Sequence, residues 1–210
     1  MARPLRIQYE GAYYHVTCRG NAREDIFEDE TDRRSFIGHL ARSSNIYRVD
    51  VFGFVLMTNH FHLVIKTPLA NMQEYMRHFN ISYTSFYNRR HNRVGHLYQG
   101  RYKSFLIDAD SYLMEVSRYV HLNPVRIRKN ELLSERELRK QLRDYCWSSY
   151  PEYRRKKSQY PWLNREEVLN YFGGDNHEGR KAYARYVERD LGGDLPNPLK
   201  KGKGHGIIGE

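Results

Sequence analysis

From residue 12 to residue 123 the hydrophobic period switches between about 2 and about 3.6 residues in a fixed order. The order is strand, helix, strand, strand, helix, strand, helix. In residues 12–19, AYYHVTCR, Tyr14, Val16 and Cys18 fall on one side and Tyr13, His15, Thr17 and Arg19 on the other, which predicts a strand. Gly20-Asn21 ends it. An acidic, cap-like start at Asp29–Asp32 opens a helix carrying Phe36, Ile37 and Leu40 at helical spacing. Residues 46–57 predict a second strand, Thr58-Asn59 a turn, and HFHLVIK (60–66) a third strand stopped by Thr67-Pro68. Met72, Met76, Phe79, Tyr83 and Phe86 predict the next helix, which ends in the basic turn 89–93. Residues 96–107 predict a fourth strand with Gly100 as a bulge or close-approach point. Asp108 or Asp110 then caps a helix over 111–122, which stops before Pro124.

Six of these elements form the ferredoxin-like βαββαβ pattern. The expected fold is α+β: a four-stranded antiparallel sheet, two helices on one face, the other face left free for a site, an added helix after the fourth strand, and a helical C-terminal extension. The division expected is 1–130 for the main domain, 131–192 for the extension, and 193–210 for a flexible Gly-, Pro- and Lys-rich tail. Within the extension, 131–145, 164–173 and 177–191 read as helices, and Trp147, Tyr150 and Tyr153 as core anchors.

Composition narrows the partners. Lys and Arg number 35 against 25 Asp and Glu, a net charge of +10. Such an excess favours a polyanion, because cations that neutralise phosphates release condensed counterions. A solvated basic surface is the bland alternative. The two cysteines, Cys18 and Cys146, lack metal spacing and argue against a disulfide framework. No apolar stretch reaches membrane-spanning length and no signal peptide is visible, so a cytoplasmic protein without a membrane partner is expected.

The chemistry centres on two places. His60 and His62 are two apart on a predicted strand, so both imidazoles point to one side while Phe61 points into the core. That is half a metal site; the other reading is a pair of idle strand histidines. Tyr119 and Asn123 are four apart on the last predicted helix and share a face if that helix reaches far enough. A tyrosine can serve as a covalent nucleophile, and an asparagine oxygen as a third metal ligand. The alternative is a Tyr119 that packs under the sheet.

These residues resemble a known family. NHFHLVI (59–65) resembles the histidine–hydrophobe–histidine motif of HUH endonucleases, and RYVHLNPVR (118–126) resembles the nucleophile helix of REP-associated tyrosine transposases. YYHVTCRGNAREDIF (13–27), GHLYQGRYKSFLID (95–108) and WSSYPEY (147–153) extend the likeness over about residues 5–190. The chain departs from the common pattern at Ile127, and its last residues, HGIIGE, resemble the start of a further segment. The resemblance implies single-stranded DNA cleavage beside a hairpin, a 5′-phosphotyrosine link, a free 3′-OH, and use of Mg²⁺ or Mn²⁺. It implies Tyr119 as nucleophile, His60 and His62 as ligands, and Asn123 as an auxiliary ligand. It also implies that Arg3, Arg6, Arg19, Asn21 and Arg23 read a short tetranucleotide at the hairpin foot, with phosphate contact or solvated charge as the alternative for any one of them, and it leans to a monomer over a homodimer.

Arg101 and Lys103 alternate on the fourth predicted strand and are expected to hold phosphates near the site. The basic turn of Arg89, Arg90 and Arg93 and the run 154–157 read either as solvated charge or, given the overall charge, as contacts to the duplex part of the hairpin. A hairpin-binding protein with an unused site is the competing reading, although a binder needs no His–His–Tyr triplet. A structural zinc site lacks four suitable ligands. An RNA-binding sheet would need stacking aromatics on its central strands in a pattern that this chain lacks.

Overall fold

The computed structural model describes residues 7–126, 133–189, 191 and 207–208. Arg3, Arg6 and Ile127 lie outside the described residues, as does most of 193–210. The main sheet runs β2 (Asp50–Leu56), β3 (His60–Thr67), β1 (Ala12–Arg19), β4 (Lys103–Ile107). All three of these pairings are antiparallel. This is the ferredoxin-like α+β sheet that the order of periods predicts.

Helices α1 (Glu30–Tyr47) and α2 (Met72–Arg90) cover one face. Phe36 of α1 meets Phe61 of β3 and Phe79 of α2, each with ring centroids 4.9 Å apart. Phe27 and Tyr83 complete the cluster, and the Tyr83 hydroxyl donates to the Ile26 carbonyl at 2.6 Å. Each ring is nearly or wholly buried, so deleting Phe36 is expected to cost about 3–5 kcal/mol. Asp29 caps α1 as expected, its carboxylate accepting from the Asp32 N–H at 3.1 Å.

Four expectations need correction. The second strand starts at Asp50, not at residue 46: Ile46 and Tyr47 complete α1, which ends at Arg48 in the left-handed conformation, φ 52°. Tyr47 supplies an aromatic strand-like signal but packs on Tyr75 and His78 of α2. The fourth strand covers Lys103–Ile107 only. Gly95 and Gly100 adopt φ of +98° and +73°, so 96–102 is a turned segment that touches the sheet at a Gly20–Tyr98 bridge. Gly100 needs its freedom for φ and not for close approach, since a Cβ there would meet nothing within 4 Å. Arg101 therefore lies outside the strand that holds Lys103.

Third, the other sheet face is covered. Helix α3 (Ala109–Leu122) lies across it, burying Leu113, Val116 and Val120, and a 3₁₀ turn at Asn123–Val125 carries Pro124. Helices α4 (Glu135–Asp144), α5 (Tyr150–Arg154), α6 (Glu166–Asn170) and α7 (His177–Glu188) follow. Tyr150 and Tyr153 are fully buried, as their anchor reading requires. Glu188 ties three of these helices together, accepting from Arg143 at 2.6 and 2.7 Å and from the Tyr150 hydroxyl at 2.7 Å.

Fourth, part of the basic turn is already occupied. Arg90 pairs with Asp29 at 2.5 Å and with the buried Asp32 at 2.6 Å, and Arg93 pairs with Glu24 at 2.7 Å. These guanidiniums hold the end of α2 and the turn after it to the start of α1 and the segment before it.

The region beyond residue 144 also closes the sheet. Leu56 donates to the Trp147 carbonyl at 2.8 Å, Ser149 to Phe54 at 2.9 Å, and Asn164 to Val51 at 2.9 Å, so the open edge of β2 is paired. On the opposite side, β5 (Ile207–Ile208) pairs with β4 in parallel. Covered edges remove a template for unwanted strand addition.

Candidate metal and nucleophile site

The site lies between the central strands and α3. The register places Arg19 opposite His60, Thr17 opposite His62, and Lys103 opposite Thr17. Directly opposed residues share a sheet face, so these side chains and His15 form one layer on the α3 side. Phe61, between the two histidines, is buried on the other side, as alternation predicts.

His60 and His62 stand with ring centroids 5.1 Å apart and planes at 81°. Tyr119 descends from α3 with its ring edge-on to His62, at 5.8 Å and 90°. Its exposure is 9%, and that of His62 is 6%, so these two rings are nearly enclosed. The Arg126 guanidinium sits 5.0 Å from the Tyr119 ring centroid. Burial raises the Tyr119 phenol above its ordinary value, and Arg126 opposes that shift.

Both histidine rings have their Nδ1 atoms engaged. His60 Nδ1 is 2.8 Å from Asn59 Oδ1, and His62 Nδ1 is 2.8 Å from His15 Nε2. Burial, followed by the nearby Arg19 charge, pushes His60 down to about 4. Burial also holds His62 well below the ordinary range, with His15, His60 and Arg19 adding to it. Both rings are therefore neutral at physiological pH, the form in which imidazole ligates metals. Two neutral imidazoles on one sheet face are a donor set that suits a divalent ion, each ligating through Nε2 when its hydrogen sits on Nδ1. Among the described residues no three His, Cys, Asp or Glu side chains gather into a metal-binding group.

Asn123 begins the turn after α3, and its Nδ2 donates to the Tyr119 and Val120 carbonyls at 2.8 and 3.4 Å. Arg19, Asn21 and Arg23 gather at the mouth of the layer. Asn21–Arg23 form a 3₁₀ turn in which Ala22 and Arg23 take φ of 51° and 65°. This turn is bound to the β2–β3 connection: Gly20 donates to the Asn59 carbonyl at 2.8 Å, and Asn59 Nδ2 to the Arg23 carbonyl at 3.0 Å. A Cβ at Gly20 would lie 2.1 Å from the Glu24 carbonyl oxygen, so only glycine fits there. Arg19, Asn21, Arg23, Arg101 and Lys103 are all exposed.

The sequence profile of the family described as Transposase IS200 like matches residues 8–123, more than half of the chain. The chain belongs to the IS200-like transposase family. A solved structure of a REP-associated tyrosine transposase bound to a REP hairpin superposes at a TM-score of 0.57 and 15% identity, over 78% of this chain and 92% of that one. The family match agrees with the resemblance carried by the motifs, and the solved structure shares the fold. Among curated proteins none matches. No helix among the described residues of this transposase is long and apolar enough to cross a membrane.

Sequence reasoning left His15, Asn59 and Arg126 without roles. His15 was placed on the correct strand face, but its contact with His62 depends on a long-range register. Asn59 carried one local signal, its position immediately before His60.

Proposed function

We propose that this transposase is a metal-dependent single-strand DNA endonuclease and strand transferase that cuts beside DNA hairpins through a 5′-phosphotyrosine link. The observation that carries the reading is Tyr119 set edge-on against His62, with His60 alongside. Tyr119 loses its hydroxyl proton to solvent, and its oxygen attacks the scissile phosphorus. The bond to the 3′ oxygen breaks, that oxygen takes a proton and leaves as a 3′-OH, and the phosphoryl group stays on the tyrosine with the 5′ side of the break. One phosphate ester replaces another, so rejoining to a second 3′-OH needs no nucleotide cofactor.

Mg²⁺ or Mn²⁺, when bound, would stabilise charge on the phosphoryl oxygens. His60 and His62 would hold it through Nε2, with the Asn123 oxygen as a third ligand, since its Nδ2 is committed to helix carbonyls. The Arg126 guanidinium beside Tyr119 favours the phenolate that attacks. Arg19, Asn21 and Arg23, with Arg3 and Arg6, recognise the bases at the hairpin foot, and Arg101 and Lys103 hold phosphates. The enzyme acts in the cytoplasm, as a monomer or a homodimer, with the monomer favoured.

One observation favours a hairpin binder with an unused site: burial raises the Tyr119 phenol, which opposes attack at neutral pH. Hairpin-bearing single strands, labelled in turn at each end and incubated with Mg²⁺ or Mn²⁺, separate the readings. Cleavage that leaves a free 3′-OH and is lost in His60→Ala supports the enzyme. Tight hairpin binding without cleavage in either metal supports the binder.

A further inference from the structure

An imidazole that ligates a metal needs a hydrogen on its other nitrogen and an acceptor for that hydrogen. Asn59 supplies the acceptor for His60, and its amide can be oriented from its contacts. Nδ2 donates to the Arg23 carbonyl at 3.0 Å, so Oδ1 is the atom at 2.8 Å from His60 Nδ1. A flipped amide would set an oxygen against the Arg23 carbonyl oxygen. An amide oxygen only accepts, so His60 carries its hydrogen on Nδ1 and keeps its lone pair on Nε2.

His15 faces His62 in the corresponding place, and its Nε2 accepts from His62 Nδ1 when its own hydrogen is carried on Nδ1. Its ring is wholly buried, and its Nε2 lies 2.8 Å from His62 Nδ1. It stacks on His62 at 5.0 Å and on Phe105 at 5.9 Å, and meets Tyr119 edge-on at 5.9 Å, so the ring is wedged in one plane. Its Nδ1 is buried without a hydrogen-bond partner among the described residues. A ring that served packing alone would be cheaper as phenylalanine, because this one leaves a buried polar atom unsatisfied. The contact with His62 explains the histidine.

We propose that Asn59 and His15 are positioning residues that fix His60 and His62 in the Nδ1–H form and so direct both Nε2 lone pairs to the metal. This rests on the reading of the histidine pair as ligands. It also joins His60, through Asn59, to the backbone of the Arg23 turn at the mouth of the site.

Two measurements on the full chain test it. Nitrogen-15 shifts of His60 in the metal-free protein report its tautomer without any metal: Nδ1–H is expected, and Nε2–H would overturn the assignment. Manganese titration followed by electron paramagnetic resonance then compares Asn59→Ala, Asn59→Asp, His15→Phe and His15→Gln with the parent. Affinity should fall about 10- to 100-fold in Asn59→Ala and His15→Phe. Asp and Gln keep an acceptor and should restore most of it, a pattern that loss of packing would not follow. Parent-like affinity in both Asn59→Ala and His15→Phe, in folded protein, would overturn the proposal. A parent that binds no manganese while His60 shows Nδ1–H would instead remove the ligand reading, and the positioning role with it.

Discussion

Replacing His121 with glutamine should make the stability of this transposase less sensitive to acid. His121 is wholly buried at the end of α3. Its Nε2 lies 2.7 Å from Ser149 Oγ, and its Nδ1 lies 2.7 Å from the Tyr183 hydroxyl, which also meets Ser117 Oγ at 2.6 Å. A neutral imidazole serves one hydroxyl as donor and the other as acceptor; a protonated ring would need two acceptors. Burial pushes the group from 6.5 down to about 3. The unfolded chain therefore takes up a proton below about pH 6.5 that the folded chain refuses until about pH 3. Stability from this depressed base is present above the unfolded value and lost as pH falls, at about 1.4 kcal/mol per unit. From pH 6.5 to about pH 5 the loss is roughly 2 kcal/mol. At about pH 7.5, His121→Gln should cost about 2 kcal/mol, for two buried bonds of about 1 each. Near pH 5 the parent has lost a similar amount and the variant has not, so their urea midpoints should converge. A difference that is the same at both pH values, or that widens in acid, would refute the claim that the ring is held neutral.

Three further outcomes follow from the contacts. Arg90→Ala leaves the buried Asp32 with His91 as its remaining ion-pair partner and should cost about 2 kcal/mol in urea unfolding, without changing hairpin affinity. Gly20→Ala drives a Cβ into the Glu24 carbonyl and should cost about 2–3 kcal/mol while loosening the Asn21–Arg23 turn, read as a lower melting temperature. Lys103→Ala, assayed on hairpin-bearing single strands across a salt series, should weaken binding and flatten the slope of log affinity against log salt by about 0.7.

Much of the fold could be read because its signals are local. Alternation in β1 and β3 gave the two central strands and the facing of His60 and His62, and helical spacing gave α2 with its buried Met76, Phe79 and Tyr83. The errors fell where apolar residues serve a turn or a helix end. Leu97, Tyr98 and Tyr102 are buried without being strand, and Tyr47 closes a helix against α2. The covering of the His60–His62 face was not legible, because it depends on how α3 and the later helices return to the sheet. His15 and His121 were hidden for the same reason: each owes its surroundings to partners that lie 28 to 62 positions away in the chain.

The central claim is that Tyr119 becomes joined to DNA. Hairpin-bearing single strands would be incubated with the full chain and Mn²⁺, the protein resolved under denaturing conditions, and any DNA-linked peptide sequenced by mass spectrometry. The account predicts a covalent adduct on the peptide containing Tyr119 and none with Tyr119→Phe. An adduct on another residue, or cleavage that persists in Tyr119→Phe, would contradict it.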